Sequence, residues 1–400
     1  MKIGLIKETK TPVDNRVALS PQQVAEIMSR FPLHEIVVQS SDIRAYSDAE
    51  YREKGIQVVA DVSDCDMLLG IKEAAINTLI PNKHYVFFGH IAKMQAYNKP
   101  LIQSMIHKKL TFSDYEYMVD ENNQRVCAFG WWAGVVGVYY TLRGYGLKTR
   151  KFSLPKPDIK FSLASLLENI KRVELPAIKL LVTGNGRVSK GAQYVLEEIG
   201  AEKLTEEAFL SNDNVNKLSY TVAVTDQLVR HIENKEFSNK EFKASPELYR
   251  SDFMRWARKA DVLISAHYWD NAAPVYLGKN DLRDKDLKIS MIGDVTCDIM
   301  GCLKSTLRAS THNNPYYDYN PITESEEPAF SSDSNITVMA VDTCPNALPR
   351  DTSEYFGSML IKHVIAPLFE GKCSSVLDKS TIIREGELTD HFSYLHKFAK

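Results

Sequence analysis

The sequence predicts an α/β fold in which parallel strands alternate with helices. Short apolar runs alternate with longer amphipathic segments along most of the chain, which is the pattern of strand–helix units around a parallel sheet. One of these units has a glycine turn between its strand and its helix, at residues 184–186. The chain has 400 residues; at about 100–200 residues per domain, it is long enough for two or three cores.

The first third of the sequence predicts a series of strands and one well-marked helix. Ser20 fits the N-cap of that helix and Pro21 its first position, and apolar residues follow at helical spacing. The other apolar runs are short and continuous, as is typical of strands in a parallel sheet. The strands expected in this part are Ile3–Ile6, Glu35–Val38, Val58–Ala60, Met67–Ile71, Tyr85–Phe88 and a strand that begins at Leu110–Phe112.

Small residues mark the next element, between residues 128 and 140. Gly130, Gly134 and Gly137 are spaced so that a helix there can pack closely on its neighbours. A surface connector with two prolines follows at 148–160. We therefore expect this helix to bridge two domains.

The remaining elements surround and follow the glycine turn. The strand before the turn is Ala177–Thr183 and the helix after it is Ser189–Ile199. Residues 202–260 are charge-rich and are expected to include exposed helices, whereas 302–334 are rich in Asn, Ser, Tyr and Pro and are expected to form a loop. Three further strands are expected at Val262–Ala266, Lys288–Ile292 and Ile336–Val341. A final amphipathic helix, Ser353–Leu368, is expected to pack back on the first domain.

Charge and composition exclude several classes of protein. The chain has 49 Lys plus Arg against 51 Asp plus Glu, a balance that argues against a binder of nucleic acid or of a membrane surface. It contains no apolar stretch of about 18 residues and begins with no signal-like segment. The six cysteines include no CxxC pair, so we expect free thiols, Cys297 and Cys302 included, in a reducing, cytoplasmic environment. No structural metal is expected.

The glycine turn fits a dinucleotide-binding site. Gly184 and Gly186 would let main-chain N–H groups approach a pyrophosphate at the start of a helix. The motif departs from GxGxxG, because Ser189 stands at the third position and the next glycine is Gly191. An ordinary tight strand–helix turn is the alternative. If a cofactor binds, an acid near Leu204–Glu207 is expected to accept a bond from the ribose 2′-hydroxyl and so influence the choice between NAD and NADP.

Three polar residues stand at positions suited to catalysis or substrate binding. Lys72 and His90 each follow a buried strand, and strand ends line the ligand crevice of an open α/β sheet. A partly desolvated lysine can serve as a base, and a histidine titrates near neutral pH. Arg16 precedes a helix and is placed to bind a carboxylate. The alternative for Lys72 is an ordinary surface lysine, and for His90 a capping residue. For Arg16 it is a surface salt bridge.

Seven segments, in order along nearly the whole chain, carry a family resemblance. They are RVALSP (16–21), HYVFFGHIAKMQAYN (84–98), SDYEYMVD with RVCAFGWWAG (113–134), VTGNGRVSKGAQ (182–193), ISAHYWDNAAP (264–274), GDVTCDIMG (293–301) and DTCPNALPRDTSEYFG (342–357). The chain resembles the lysine-forming saccharopine dehydrogenase family, most closely the lysine–2-oxoglutarate reductase domain of aminoadipic semialdehyde synthase. This family is related to alanine dehydrogenase and the N-terminal region of transhydrogenase.

The resemblance implies two Rossmann-like, doubly wound domains with the active site in the cleft between them. A substrate and catalytic domain would comprise residues 1–134 and about 340–400, and a dinucleotide-binding domain about 135–339. The family binds NAD or NADP and interconverts an amino acid plus a 2-oxo acid with a secondary-amine opine such as saccharopine.

The resemblance also implies roles for individual residues. Lys72 would be the base that handles the substrate amine, and His90 its acid/base partner. The residues implied in substrate binding are Arg16, Gln95, Phe129, Tyr268 and Trp269. The residues implied in cofactor binding are Arg125, Gly184, Gly186, Arg187, Val188, Asp294, Val295, Thr296 and Cys297.

Two other functions remain alternatives. One is a simple amino-acid dehydrogenase of the alanine dehydrogenase type, which acts on one amino acid and ammonia. The other is a non-catalytic NAD(P)-binding regulatory protein. In each case the expected partners are small molecules, and the expected assembly is a monomer or a small homo-oligomer.

Overall fold

The computed structural model describes residues 1–372 and 374–400, so that Cys373 lies outside the described part of the chain. The chain divides into two compact units. Unit 1 comprises Met1–Phe129 and Leu348–Lys400, and unit 2 comprises Gly130–Ala347. Each unit contains an eight-stranded, mostly parallel sheet with helices. The predicted α/β fold class is therefore confirmed.

The strands are numbered in chain order. They are β1 (Lys2–Leu5), β2 (Glu35–Gln39), β3 (Val58–Val59), β4 (Met67–Lys72), β5 (His84–Phe88), β6 (Thr111–Asp114), β7 (Lys179–Thr183), β8 (Glu202–Lys203), β9 (Ser219–Ala223), β10 (Val229–His231), β11 (Tyr249–Ser251), β12 (Val262–Ser265), β13 (Met291–Asp294), β14 (Tyr316–Asn320), β15 (Ser325–Glu327), β16 (Ile336–Met339), β17 (Thr381–Arg384) and β18 (Glu387–Leu388).

The α-helices are numbered in the same way. They are α1 (Pro21–Arg30), α2 (Asp48–Glu53), α3 (Lys99–His107), α4 (Gly130–Thr149), α5 (Leu163–Lys171), α6 (Arg187–Glu198), α7 (Glu206–Ser211), α8 (Thr225–Leu228), α9 (Asn239–Ala244), α10 (Met254–Ala257), α11 (Lys279–Leu282), α12 (Pro349–Leu360), α13 (Ala366–Phe369), α14 (Ser375–Ser380) and α15 (His396–Ala399). A π-helical segment, Ile361–Ile365, joins α12 to α13.

The sheet of unit 1 has the order β18-β17-β6-β5-β4-β1-β2-β3. The six strands from β6 to β3 are parallel, and β17 and β18 extend the sheet antiparallel at one edge. Parallel pairing places the carboxyl ends of β1, β4, β5 and β6 at the same edge of the sheet. The residues that follow these strands are therefore neighbours in space.

The local signals at the first helix are confirmed. Ser20 caps α1, and its side chain accepts a bond from the main-chain N–H of Gln23, whose own side chain accepts from the N–H of Ser20. Pro21 occupies the first turn, where a missing N–H costs nothing. This reciprocal capping box explains why the helix begins where the sequence predicts.

The sheet of unit 2 has the order β15-β14-β16-β13-β12-β7-β9-β8. Its strands from β16 to β8 are parallel, and β14 and β15 extend the sheet by antiparallel pairing. A separate two-stranded antiparallel sheet is formed by β10 and β11.

One expectation for unit 2 is wrong, and a second is incomplete. The presumed loop 302–334 contains β14, whose Asp318 is buried and accepts bonds from Thr337 and Ser331. The aromatic and polar composition of this segment does not indicate a strand, because its polar side chains acquire hydrogen-bond partners only in the folded sheet. The charge-rich region 202–260 contains exposed helices, such as α9, as expected, but it also contains β9, a mostly buried strand in the body of the sheet.

Helices α4 and α6 pack with their backbones in close contact. A Cβ atom at Gly191 of α6 would overlap the Trp131 carbonyl group, with the carbonyl carbon 2.8 Å away. A Cβ atom at Gly134 of α4 would lie 2.8 Å from the main-chain nitrogen of Ala192. These two glycines are therefore required by packing between the helices, as the small-residue spacing of α4 indicated.

No helix in the described part of the chain is long and apolar enough to span a membrane.

Replacing Gly191 by alanine should destabilise the protein. The new methyl group would overlap the main chain of α4, which cannot move aside as a side chain can, and we expect a loss of about 3 kcal/mol in the free energy of unfolding. Gly130→Ala is the matched control, because a Cβ there would lie at ordinary distances of 3.5 and 3.6 Å from its nearest neighbours. Urea unfolding of both variants measures the difference. Equal stability of the two variants would contradict the close packing of α4 and α6.

Candidate active site

Lys72 and His90 lie at the carboxyl edge of the sheet in unit 1. Lys72 is the last residue of β4 and pairs in register with Phe88, the last residue of β5. His90 follows two residues later in the left-handed backbone conformation, with φ 53°. Adjacent parallel strands thus bring the predicted acid/base residues to the same edge, as the sequence indicated.

Two acidic residues hold His90 in place. The buried carboxylate of Asp114 accepts main-chain N–H bonds from Gly89 at 3.1 Å and from His90 at 3.0 Å. The His90 Nδ1 atom lies 3.0 Å from Glu116 Oε2. Because a carboxylate only accepts, Nδ1 carries the hydrogen, which makes Nε2 the ring nitrogen for proton exchange with a ligand.

Glu116 is a strongly stabilised carboxylate. Burial by itself would raise its pKa, but the bond from His90 and the charge and hydrogen bond of Lys93 outweigh burial and lower the pKa to about 2. Lys93 Nζ lies 3.0 Å from Glu116 Oε1, and Arg125 Nη1 lies 3.9 Å from the same atom. A permanent negative charge therefore stands behind the imidazole of His90.

A second buried carboxyl group holds the end of β4. Glu8 accepts main-chain N–H bonds from Ile71 at 2.6 Å and from Lys72 at 2.9 Å. Burial, together with the negative charge of Asp14, raises the pKa of Glu8 to about 8. The backbone of Lys72 is thus fixed by a side chain from the segment that follows β1.

Arg16 and Phe129, two of the predicted substrate-binding residues, are brought together. The Arg16 guanidinium lies over the Phe129 ring, 4.2 Å from its centroid. Its Nε and Nη2 atoms donate to Asp14 at 2.9 and 2.5 Å. Burial would raise the pKa of Asp14, but the charges of Arg16 and Lys72 and the bonds from Arg16 lower it. Arg16 is therefore buried and oriented, in contrast to the surface salt bridge considered as its alternative.

Gln95 and Arg125 lie on the surface of unit 1. The Gln95 side chain is exposed and accepts a bond from the Tyr97 hydroxyl at 2.8 Å. Arg125 is also exposed, and its Nη1 atom lies 3.9 Å from Glu116 Oε1.

The other predicted cofactor and substrate residues share one edge of the sheet in unit 2. The strands β7, β12 and β13 are adjacent and parallel, and the predicted residues follow each of them. Gly184 packs against the residues after β12, because a Cβ there would lie 2.8 Å from the Cα of His267. Val295, after β13, donates its main-chain N–H to Ser265 at 3.0 Å.

The turn after β7 has the features that a dinucleotide requires. Gly184 adopts φ +85°, which only glycine adopts without strain, and Gly186 caps α6. A Cβ at Gly186 would meet no atom within 4 Å, so the backbone there is open to a ligand. Arg187 and Val188 belong to the first turn of this 12-residue helix, where main-chain N–H groups point toward the space in front of a helix. These residues fit the pyrophosphate of a nicotinamide dinucleotide.

The residues after β12 and β13 differ in their exposure. Tyr268 is 86% exposed, whereas Trp269 is half-buried and donates from its indole nitrogen to the Pro274 carbonyl at 3.0 Å. Asp294 is fully buried, and burial raises its pKa although it accepts bonds from the Thr296 and Cys297 main chain. The Asp294 side chain thus holds the backbone of the loop that follows β13.

The sequence prediction assigned no role to three acids that the structure places around Lys72, His90 and Arg16. They are Glu8, Asp14 and Glu116. Each had a local signal, because Glu8 follows the first strand, Asp14 precedes Arg16 by two residues, and Glu116 lies in an acidic segment after a strand. Their partners, however, lie up to 64 residues away in the chain.

Among residues 1–372 and 374–400, no group of three or more His, Cys, Asp or Glu side chains is placed to hold a metal ion. The five cysteines in this part, Cys65, Cys127, Cys297, Cys302 and Cys344, are free thiols.

Comparison with known proteins finds a family that matches the first third of the chain, and relatives that match nearly all of it. Residues 4–136 match the family described as "Alanine dehydrogenase/PNT, N-terminal domain". An alpha-aminoadipic semialdehyde synthase of Arabidopsis thaliana is 28% identical over 442 residues, covering 100% of this chain and 41% of that protein. A saccharopine dehydrogenase (NAD(+), L-lysine-forming) of Yarrowia lipolytica is 24% identical, covering 97% of this chain and 99% of the relative.

A solved structure of an L-alanine dehydrogenase matches with a TM-score of 0.68 at 18% identity, over 100% of this chain and 99% of the other. This match supports the fold. The chain spans less than half the length of the Arabidopsis protein, and essentially all of the Yarrowia one. The resemblance that the seven sequence segments indicated is confirmed.

Replacing Glu116 by glutamine should change stability in a pH-dependent way. The pKa of this carboxyl falls from 4.5 to about 2 on folding, so its contribution is complete above pH 4.5 and is lost as the pH falls toward 2. At pH 3.5, the wild-type advantage over Glu116→Gln should be about 1 kcal/mol smaller than at pH 7. Urea unfolding at both pH values measures this, with Glu121→Gln at the surface as control. An advantage that does not change with pH would contradict the assignment of Glu116 as a partly buried partner of His90 and Lys93.

Proposed function

We propose that this chain is an NAD(P)-dependent oxidoreductase that acts on CH–NH donors, of the saccharopine dehydrogenase or lysine–2-oxoglutarate reductase type. It interconverts an amino acid plus a 2-oxo acid with a secondary-amine opine. One observation carries the proposal: Lys72 ends β4 and His90 follows β5, the adjacent parallel strand, and each is held at its backbone by a buried carboxyl group. The similarity to relatives over the full chain supports it.

The two units take different roles in this proposal. Unit 1 is the substrate and catalytic domain, because it contains Lys72, His90 and Arg16. Unit 2 is the dinucleotide-binding domain, because it contains the open glycine turn before α6. Tyr268 and Trp269 are assigned to substrate binding in this proposal, and Arg125 to cofactor binding.

The proposed reaction needs protons moved at two atoms. The substrate ammonium must lose a proton before its nitrogen can attack the carbonyl carbon of the oxo acid, and the carbonyl oxygen must gain protons to leave as water. A bound nicotinamide dinucleotide supplies the hydride that reduces the resulting C=N bond. Lys72 accepts the proton of the amine, and His90 exchanges protons through Nε2 with the departing oxygen. Each positioned group of this kind contributes about 10²–10⁴-fold to the rate.

The carboxylates around these groups suit the proposed proton transfers. Glu116 faces Nδ1 of His90 and stabilises the imidazolium that forms when Nε2 takes up a proton. Asp14 lies within the electrostatic reach of Lys72 and Arg16. The negative charge of Asp14 thus lies near the amine that accepts the proton in this proposal.

Arg16 and Gln95 bind the carboxylates of the substrates. An arginine fixed by Asp14 and by the Phe129 ring loses little freedom when it binds an anion, so that more of the interaction energy goes to positioning the substrate. The Phe129 ring, which lies against the Arg16 guanidinium, supplies the apolar side of the proposed substrate site.

A second candidate is a simple amino-acid dehydrogenase of the alanine dehydrogenase type. The match of residues 4–136 to the alanine dehydrogenase N-terminal domain favours it. In that case ammonia replaces the amino-acid amine, and the same lysine and histidine transfer the protons.

The partners in this proposal are small molecules. With a net charge of −2, the chain has no excess of cations with which to bind nucleic acid or an anionic membrane surface. A cytoplasmic location and a monomeric or small homo-oligomeric state complete the proposal.

Activity with lysine should depend on both Lys72 and His90. The assay follows oxidation of NADH and NADPH at 340 nm with 2-oxoglutarate and a panel of amino acids led by lysine, with pyruvate plus ammonia beside it. Lys72→Met and His90→Gln should each lower turnover by about 10²–10⁴-fold, because each removes one proton-transfer group. Both variants should keep the circular dichroism and the NAD(P)H affinity of the wild type.

The outcomes of this assay separate the candidates. Turnover with ammonia and pyruvate alone would support the simple amino-acid dehydrogenase. NAD(P)H binding without any turnover would support the non-catalytic regulatory protein. Turnover with lysine that survives both substitutions would contradict the roles of Lys72 and His90.

Gly186→Ala should weaken dinucleotide binding and leave stability unchanged. The added methyl group enters space that is open in the folded protein, and it would stand where a pyrophosphate approaches the backbone. We expect the Kd for NADH to rise at least about tenfold, as for the loss of one charge-assisted hydrogen bond, with no change in Tm. Gly278→Ala is the matched control, because Gly278 also caps a helix of unit 2 with nearly the same backbone angles. Unchanged NADH affinity in Gly186→Ala would favour the ordinary strand–helix turn.

A further inference from the structure

The strand order of unit 2 decides which residues lie beside the glycine turn. The strand adjacent to β7 is β9, in parallel register with Thr183 opposite Ala223. The N–H of Gly184 donates to the carbonyl of Ala223 at 2.8 Å. In contrast, β8 pairs with β9 on its far side and forms the edge of the sheet. The residues that follow β9, from 224 to 227, therefore lie next to the turn, whereas Leu204–Glu207 lie one strand farther away.

Asp226 is the acidic residue in this position. It lines a cavity of about 320 Å³ together with Gln227, Glu206 and Arg255. It is exposed, and among the described residues its carboxylate makes no hydrogen bond or ion pair. An unpaired carboxylate at the end of the strand beside the turn is placed to accept a bond from a hydroxyl group of a ligand.

The neighbouring acid that the sequence favoured is already engaged. Glu206 Oε1 lies 2.7 Å from Arg255 Nη1, and Glu206 Oε2 accepts a bond from Gln227 at 2.6 Å. Its carboxylate would have to give up both partners to bind a ribose.

The cations around the cavity are engaged as well. Arg255 also contacts Asp252 at 2.7 Å, and Arg230 contacts Asp252 at the same distance. Lys235 lies 2.6 Å from Glu233. Each of these three cations thus has an acidic partner, while Asp226 has no cationic one in the described part of the chain. A phosphate group entering here would meet an unpaired negative charge.

We propose that Asp226 makes this protein select NADH over NADPH, by accepting a hydrogen bond from the 2′-hydroxyl of the adenosine ribose and repelling a 2′-phosphate. This inference rests on the proposed dinucleotide-binding function of unit 2. The 2′-hydroxyl of NADH would bond to this carboxylate, whereas the 2′-phosphate of NADPH would be repelled by it. This difference corresponds to a Kd about 10- to 100-fold lower for NADH than for NADPH.

The test is a pair of binding titrations on the full chain without substrate. The fluorescence of the reduced nicotinamide reports the Kd of NADH and of NADPH for the wild type, Asp226→Asn and Glu207→Gln. Glu207 is an exposed acid in the segment after β8 and is the matched control. Adenosine 5′-monophosphate and adenosine 2′,5′-bisphosphate, as competitors, repeat the comparison for the ribose alone.

We expect the wild type to bind NADH at least tenfold more tightly than NADPH. The ratio should fall by at least tenfold in Asp226→Asn and stay unchanged in Glu207→Gln. A wild type without this preference, or a preference that survives in Asp226→Asn, would overturn the role of Asp226 while leaving the dinucleotide site intact. If neither nucleotide binds to the wild type, the dinucleotide function of unit 2 itself fails. Circular dichroism and Tm of the variants establish that each is folded.

Discussion

Parallel pairing of strands is the constraint on which both units depend. In a parallel sheet every carboxyl end lies at the same edge, so residues that are far apart in the sequence become neighbours there. Lys72 and His90 meet in this way in unit 1, and Gly184 and Val295 lie at one edge in unit 2. The functional residues therefore need no loop of special length to bring them together within a unit.

Buried acids fix the backbone at the strand ends of unit 1. Glu8 binds the backbone at the end of β4, and Asp114 binds the backbone after β5. Taking a carboxylate out of water is costly, and the high pKa of Glu8, about 8, reflects this cost. These groups hold Lys72 and His90 in a defined backbone geometry, as residues that transfer protons require.

The glycines of the turn and helix in unit 2 serve two different purposes. Gly186 leaves open space in front of α6, whereas Gly191 allows α6 to contact the backbone of α4. The departure from the GxGxxG pattern follows from this division, because the third glycine of that pattern allows close packing and Gly191 supplies such packing two residues later. One short motif thus combines a ligand-facing position with a packing position.

Interactions between nearby residues could be predicted from the sequence alone. The alternation of elements indicated the α/β class, the Ser20–Gln23 capping box began α1 where expected, and the turn after β7 was evident from Gly184 and Gly186. In each case the atoms that interact are a few residues apart, so that local geometry decides the outcome.

Long-range pairing was decided only by the tertiary structure. The bond between His90 and Glu116, the position of β9 beside β7 and the pairing of β14 with β16 each join segments that are distant in the sequence. From sequence order, the acid that binds the ribose was expected after β8. Strand pairing instead places β9 next to β7, so that Asp226, which follows β9, lies near the turn. The physical reason is that strand order is set by how whole strands and helices bury their apolar faces together, and no short segment contains that information.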